Sequence, residues 1–202
     1  MKLFEISAGN ALDDVQLSGS FDPRFRDIHK HVGELKAITK GRGTARTMLM
    51  QVEMEGIFYD NINCGTTNLV ISAKVYDAIQ RAQLTGWRVT NVVIFDSKAK
   101  LLRDDYYLLG FEGRLKNWRI GDKIVDSEIP GNHLYTNREY YGIRYDLDTW
   151  DGKDFFLLEG SLHTGVSERA RDTIATVEPS NLLMVKFEDY YFRQWVNVHD
   201  LE

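Results

Sequence analysis

The stretch Val70-Ile-Ser-Ala-Lys-Val-Tyr-Asp-Ala-Ile79 decides how this chain of 202 residues is read. Ser72 is a good N-cap, and Val75, Ala78, Ile79 and Ala82 follow at helical spacing, with Lys74, Asp77, Gln80 and Arg81 on the other side. Leu84-Thr-Gly86 ends the helix with a glycine just past it. Leu69-Val-Ile71 leads in, and Val89 to Phe95 reads as a buried strand leading out. Placing Ser167 on Ser72 sets Gly165-Val-Ser-Glu-Arg-Ala-Arg-Asp-Thr-Ile174 beside the first stretch, with Asp172 on Asp77 and Ile174 on Ile79. Pro179-Ser-Asn181 then takes the place of Leu84-Thr-Gly86, and Leu182 to Phe187 that of the following strand after a gap of about three residues. The expected fold class is α+β: mixed sheet strands with a few amphipathic helices, containing an internal repeat of a helix-plus-strand unit at 67–95 and 161–187.

Outward from these units the signals thin. Met48, Met50, Val52 and Met54 alternate with Gln51, Glu53 and Glu55, which predicts a half-buried strand within Thr47 to Tyr59. Tyr106-Tyr-Leu-Leu-Gly-Phe111 predicts a second strand of a hairpin with Val89 to Phe95. Residues 1–45 predict a strand and then irregular structure, with Gly41-Arg-Gly43 as a turn. The division expected is a strand-rich segment at 1–60 and an α+β region at 61–202, forming one compact domain.

Composition bounds the function. At 43% hydrophobic and 27% charged residues, with ten Tyr, ten Phe and four Trp, the chain can bury a core and is not a disordered one. Its single cysteine, Cys64, cannot form an intramolecular disulfide, which suits a reducing compartment. Glu5 interrupts the apolar start before an export signal's core can form, and no long uncharged apolar window exists, so a cytoplasmic protein is expected. The formal charge of −5 argues against a nucleic-acid binder. Six basic residues face twelve acidic ones from Arg144 to Glu202, a net of −6, which leaves +1 for residues 1–143. An acidic surface steers basic partners.

No catalytic or metal constellation stands out. His29, His31 and Glu34 fall short of the four well-spaced ligands a structural zinc needs. Asp146-Leu-Asp148-Thr-Trp-Asp151-Gly152 resembles a calcium loop, but the third acid and the glycine come one place late and Leu157 stands at the bidentate Glu position. Ser161, His163 and Ser167 are close in sequence, which does not by itself bring a nucleophile and base together. No catalytic residue, metal ligand or cofactor is assigned. The candidate partner-binding residues are Asp146, Asp148, Trp150, Asp151, Asp154, Glu188, Asp189, Tyr190 and Tyr191, because carboxylates beside large amphipathic rings suit a basic protein surface.

Asn68-Leu-Val-Ile-Ser-Ala-Lys-Val-Tyr-Asp-Ala-Ile79, Leu84-Thr-Gly-Trp87, Tyr106-Tyr-Leu-Leu109, Asp154-Phe-Phe-Leu-Leu-Glu-Gly160 and Val166-Ser-Glu-Arg-Ala-Arg-Asp172 together resemble the Imm11-type immunity family of bacterial polymorphic toxin systems. The similarity runs in order over roughly residues 60–190. Lys116 to Asn137 departs from the pattern, and the first 45 residues match nothing in it. The resemblance implies a non-enzymatic protein that neutralises a cognate toxin by direct contact, with no cofactor, nucleic acid or membrane as partner. The competing classes are a ligand- or peptide-binding module and an enzyme that reverses a toxin's modification.

Overall fold

The computed structural model describes residues 1–9, 16–18, 37–40, 42, 47–63, 69–161 and 163–197. His29, His31, Glu34, Gly41, Gly43 and Cys64 lie outside the described residues. The chain is α+β, and strands dominate it. Six of them, β2 (Gln16–Ser18), β3 (Met48–Met54), β4 (Asn61–Asn63), β5 (Leu69–Ser72), β6 (Trp87–Phe95) and β7 (Leu101–Phe111), close a barrel in the order β2-β3-β6-β7-β5-β4. Five others, β1 (Leu3–Ala8), β8 (Gly113–Leu115), β11 (Phe155–Leu158), β12 (Thr164–Ser167) and β13 (Leu182–Lys186), form an open sheet in the order β13-β1-β12-β11-β8. The first 60 residues therefore give strands to both sheets.

The two sheets are wired alike. In the barrel, β6 and β7, β7 and β5, and β5 and β4 pair antiparallel, while β4 and β2 pair parallel. In the open sheet the same senses join β13 to β1, β1 to β12, β12 to β11, and β11 to β8. Ser72 pairs with Tyr106 and Trp87 with Phe111; 95 positions on, Ser167 pairs with Leu3 and Leu182 with Ala8. One offset spans both, so the expected gap before Leu182 is not there.

A helix follows the same strand in each unit: α1 (Ala73–Arg81) after β5 and α2 (Glu168–Ala175) after β12. The helices pack together, and Val75, Ile79, Ala170 and Ile174 join Phe4, Ile6, Ile71, Leu109, Phe155 and Val166 in a core shared by both units. Met48, Met50, Val70, Val92, Ile94 and Leu108 fill the barrel as a second core. Met48 and Met50 of β3 are buried in the barrel while Leu49 and Gln51 are partly exposed and Met54 is exposed, so the strand is half-buried as its alternation predicts.

The units part company where β6 ends. It runs on to Phe95 and takes β3 alongside, whereas the equivalent chain turns in a 3-10 helix at Phe187–Asp189 and enters β14 (Tyr191–Asn197). That strand joins β10 (Asn132–Tyr145) and β9 (Trp118–Ile129) in a third sheet, ordered β14-β10-β9. Pro130-Gly131 turns the β9–β10 hairpin, with Gly131 at φ +76°, the left-handed conformation a Pro-Gly turn needs. The base of this arm packs on the open sheet, where Ile143 and Phe187 meet Leu3, Leu115, Phe156 and Leu158.

Candidate functional site

Two aspartates hold the units together. Asp60 accepts bonds from the Ser72 hydroxyl (2.7 Å) and the Lys74 ammonium (3.0 Å) of its own unit, and from the amide and hydroxyl of Ser180 (3.0 Å each). Asp154 accepts from the Ser167 hydroxyl (2.7 Å) and the Arg169 guanidinium (3.0 Å), and from the amide and hydroxyl of Thr85 in the other unit. Burial pushes the Asp60 carboxyl up, but the bonds from Ser180, Ser72 and Lys74 outweigh it and leave the group below its ordinary range. Ser167 also caps α2 by accepting from the Ala170 amide (3.1 Å). Ser72 makes no such capping bond, so only one of the two serines carries the side-chain cap that both predict.

Asp154 is the clearest correction among the candidate partner contacts. It is 5% exposed and fully engaged within the protein, so it cannot belong to an acidic face. Trp150 is half-buried, edge-on to Phe156, and donates its indole N–H to the Lys153 carbonyl (3.1 Å). Asp146, Asp148 and Asp151 are exposed on the loop before β11. Asp146 accepts from the Asp148 amide, and Asp151 accepts from the amides of Arg114 and Lys153, so two of these acids shape the loop. Glu188 and Asp189 are exposed with the Lys186 ammonium 3.8 Å from each, which offsets part of their charge. Tyr191 is exposed on β14, whereas Tyr190 is half-buried. The nine residues do not form one surface.

Tyr190 belongs to a cluster that its sequence neighbours do not reveal. Glu5 stands on β1 opposite Gly165, in the place that Leu108 holds opposite Val70 in the barrel. It is 5% exposed; its Oε1 is 3.3 Å from His163 Nδ1, and its buried Oε2 has no hydrogen-bond partner among the described residues. Burial raises the Glu5 carboxyl, an effect that His163 only partly offsets. Rings of Trp118, Tyr190 and Phe192 stand edge-on around His163 at 5.8, 5.7 and 6.1 Å. Burial, reinforced by the Glu5 charge, pushes the Tyr190 hydroxyl up to about 12. Among the described residues no serine, threonine or cysteine side chain bonds to the His163 ring. Ser161 donates to the Leu158 carbonyl and Ser167 to Asp154, so neither is poised as a nucleophile. The sequence signal for Glu5 is an acid inside the apolar run Leu3-Phe-Glu-Ile6.

Exposed apolar side chains gather on the arm. Six of the thirteen large apolar side chains exposed among the described residues stand on β9, β10 and β14: Ile124, Val125, Leu134, Tyr135, Tyr141 and Tyr191. Directly paired residues of antiparallel strands share a face, and Tyr141 pairs with Tyr191 while Val125 pairs with Glu139, two places before Tyr141. Tyr135, Val125, Tyr141 and Tyr191 therefore point the same way. Tyr140, on the opposite side, stacks on Phe192 at 5.1 Å and so leads to His163. Gly142, at φ +80° and beside Gly121, then breaks the alternation, so Ile143 turns into the core while Arg144 reaches Asp122 (2.7 Å) on the outer side.

No group of acids, histidines and cysteines among the described residues is arranged to hold a metal ion, and no helix among them is long and apolar enough to cross a membrane. Compared with known proteins, the chain matches no family model and no curated sequence.

Proposed function

We propose that this protein is an immunity protein of the cytoplasm, which neutralises a bacterial toxin by binding it, and that the arm is its docking surface. The observation that carries the reading is the concentration of exposed Val125, Tyr135, Tyr141 and Tyr191 on one face of a three-stranded sheet. Exposed tyrosines and valine set around the Arg193–Glu139 ion pair suit a contact site, because tyrosines supply contact area at low entropic cost and charged groups add specificity. Ion pairs Arg193–Glu139 and Arg138–Asp126 brace the strands, so the surface is preorganised.

The repeat belongs to the same reading. The barrel and the open sheet are two copies of one unit, supported by their shared pairing senses, common register and matching Asp–Ser–cation stations. One copy keeps a closed barrel; the other opens and sends its chain into the arm.

The test is co-expression with toxin domains, beginning with any encoded beside this gene. Wild type should restore growth and co-purify with its toxin. A Tyr141→Asp, Val125→Asp variant with unchanged melting temperature should do neither. Protection by that variant at the wild-type level would exclude the arm as the docking surface.

A further inference from the structure

Arg119 on β9 and Arg144 on β10 are direct cross-strand partners. Like charges placed opposite each other on adjacent strands repel, with Cβ atoms about 5 Å apart, so such a pair lowers stability unless something else neutralises it. Only one of them is neutralised from within: Arg144 is paired with Asp122, while Arg119 has no acid partner among the described residues. Both arginines line a shallow cavity of 430 Å³, with Lys116, Asn117 and Asp146 around it. Lys116 is exposed and likewise has no acid partner among the described residues. The Asp146 carboxylate, the one acid in the lining, is turned onto the Asp148 amide.

We infer that this cavity is a binding site for a phosphoryl dianion, carried by a small phosphorylated molecule. Two unpaired cations, a planar guanidinium fork and a compact ammonium, match the charge and the several acceptor oxygens of a phosphoryl group. A single carboxylate needs only one fork and leaves the second cation uncompensated. The volume exceeds that of a phosphate alone and admits a group attached to it. The site lies beyond the apolar docking surface and does not depend on any protein partner.

The test is titration of the whole chain at low salt with inorganic pyrophosphate, ADP and succinate, read by backbone amide shifts and calorimetry. Pyrophosphate and ADP should saturate with Kd below about 1 mM, shifting the amides of residues 116–119 and 144–146. Succinate should bind at least about tenfold more weakly. Arg119→Gln and Lys116→Gln should each weaken binding by about tenfold, and added salt should weaken the wild type. Thermal unfolding separates a ligand role from a structural one. Removing Arg119 relieves the repulsion, so Arg119→Gln should melt no lower than wild type. No saturable response to the phosphorylated probes, equal affinity for succinate, unchanged affinity in both variants, or a lower melting temperature for Arg119→Gln would each overturn the site.

Discussion

The closed barrel and the open sheet share a wiring plan but differ in what they leave uncovered. In the barrel, β3 lies along β6, and Leu108 is buried in an apolar cluster with Met48, Met50, Val70, Val92 and Ile94. In the open sheet the chain turns at Phe187, the arm supplies the cover, and Glu5 stands in the place of Leu108. The barrel has an apolar side chain at that position. The open sheet has a carboxyl group there and carries a projecting sheet, and departures from local consistency of this sort gather at functional regions.

The sharpest way to break the comparison is at the two aspartates. Asp154 is nearly inaccessible and holds four donors, so Asp154→Ala should lower stability by about 3 kcal/mol, because removing a buried carboxylate strands all its partners. Asp60 serves the matching donors from a half-buried position, and Asp60→Ala should cost about 2 kcal/mol. Denaturant unfolding measures both; equal or reversed costs would mean that the two stations do not differ as their burial implies.

The two serines sharpen it further. Ser167 both donates to Asp154 and caps α2, whereas Ser72 only donates to Asp60. Ser167→Ala should therefore lose about 2 kcal/mol and Ser72→Ala about 1 kcal/mol in the same assay.

Replacing Glu5 with the leucine of its counterpart should add about 1 kcal/mol at pH 8, since well-packed apolar residues match or exceed a buried charged pair. The sign with pH follows from the raised carboxyl. Glu5 is accommodated best when protonated, so its contribution is intact below the ordinary glutamate value of about 4.3 and is lost as pH rises through its raised value. The advantage of Glu5→Leu should thus shrink on acidification; an advantage that grows towards low pH would show that the ionised pair with His163 stabilises the fold.

Asp60 gives the opposite and smallest effect. Its carboxyl is lowered, so its contribution is present above the ordinary aspartate value of about 3.9 and is lost only as pH falls through the lowered one. Protection of the Asn61 and Ser180 amides, relative to their intrinsic exchange rates, should hold at pH 5 and fall in stronger acid.

The helices were legible because local rules suffice for them: a serine, an apolar stripe and a left-handed closing residue lie within fifteen positions of one another. Thr85 and Ser180 stand at matching places, and the registers make Leu182 follow Asn181 as Trp87 follows Gly86. Setting Leu182 to Phe187 against Val89 to Phe95 creates the gap, because the half-exposed Trp87 and Arg88 already belong to the strand. The arm was missed for a physical reason. Neither face of β9 is buried along most of its length, so Trp118 to Ile129 lacks an alternating pattern, and only Pro130-Gly131 marks the hairpin. The Glu5 cluster is not legible in the sequence because its members come from four separated places in the chain. The acidic run misled because Asp154 answers to Ser167 and Thr85, which sequence proximity to Asp151 does not disclose.

The most direct test sets the two copies against each other in a toxin-binding assay. Met54→Asp and Ile57→Asp alter exposed apolar groups on and beside the barrel, while Val125→Asp and Tyr141→Asp alter exposed apolar groups on the docking face of the arm. With all four variants folded, the arm variants should lose toxin affinity by at least about tenfold each, as loss of a contact worth about 1.4 kcal/mol or more requires, and the barrel variants should bind like wild type. Full affinity in the arm variants, with loss in the barrel variants, would contradict the assignment of function to the open copy.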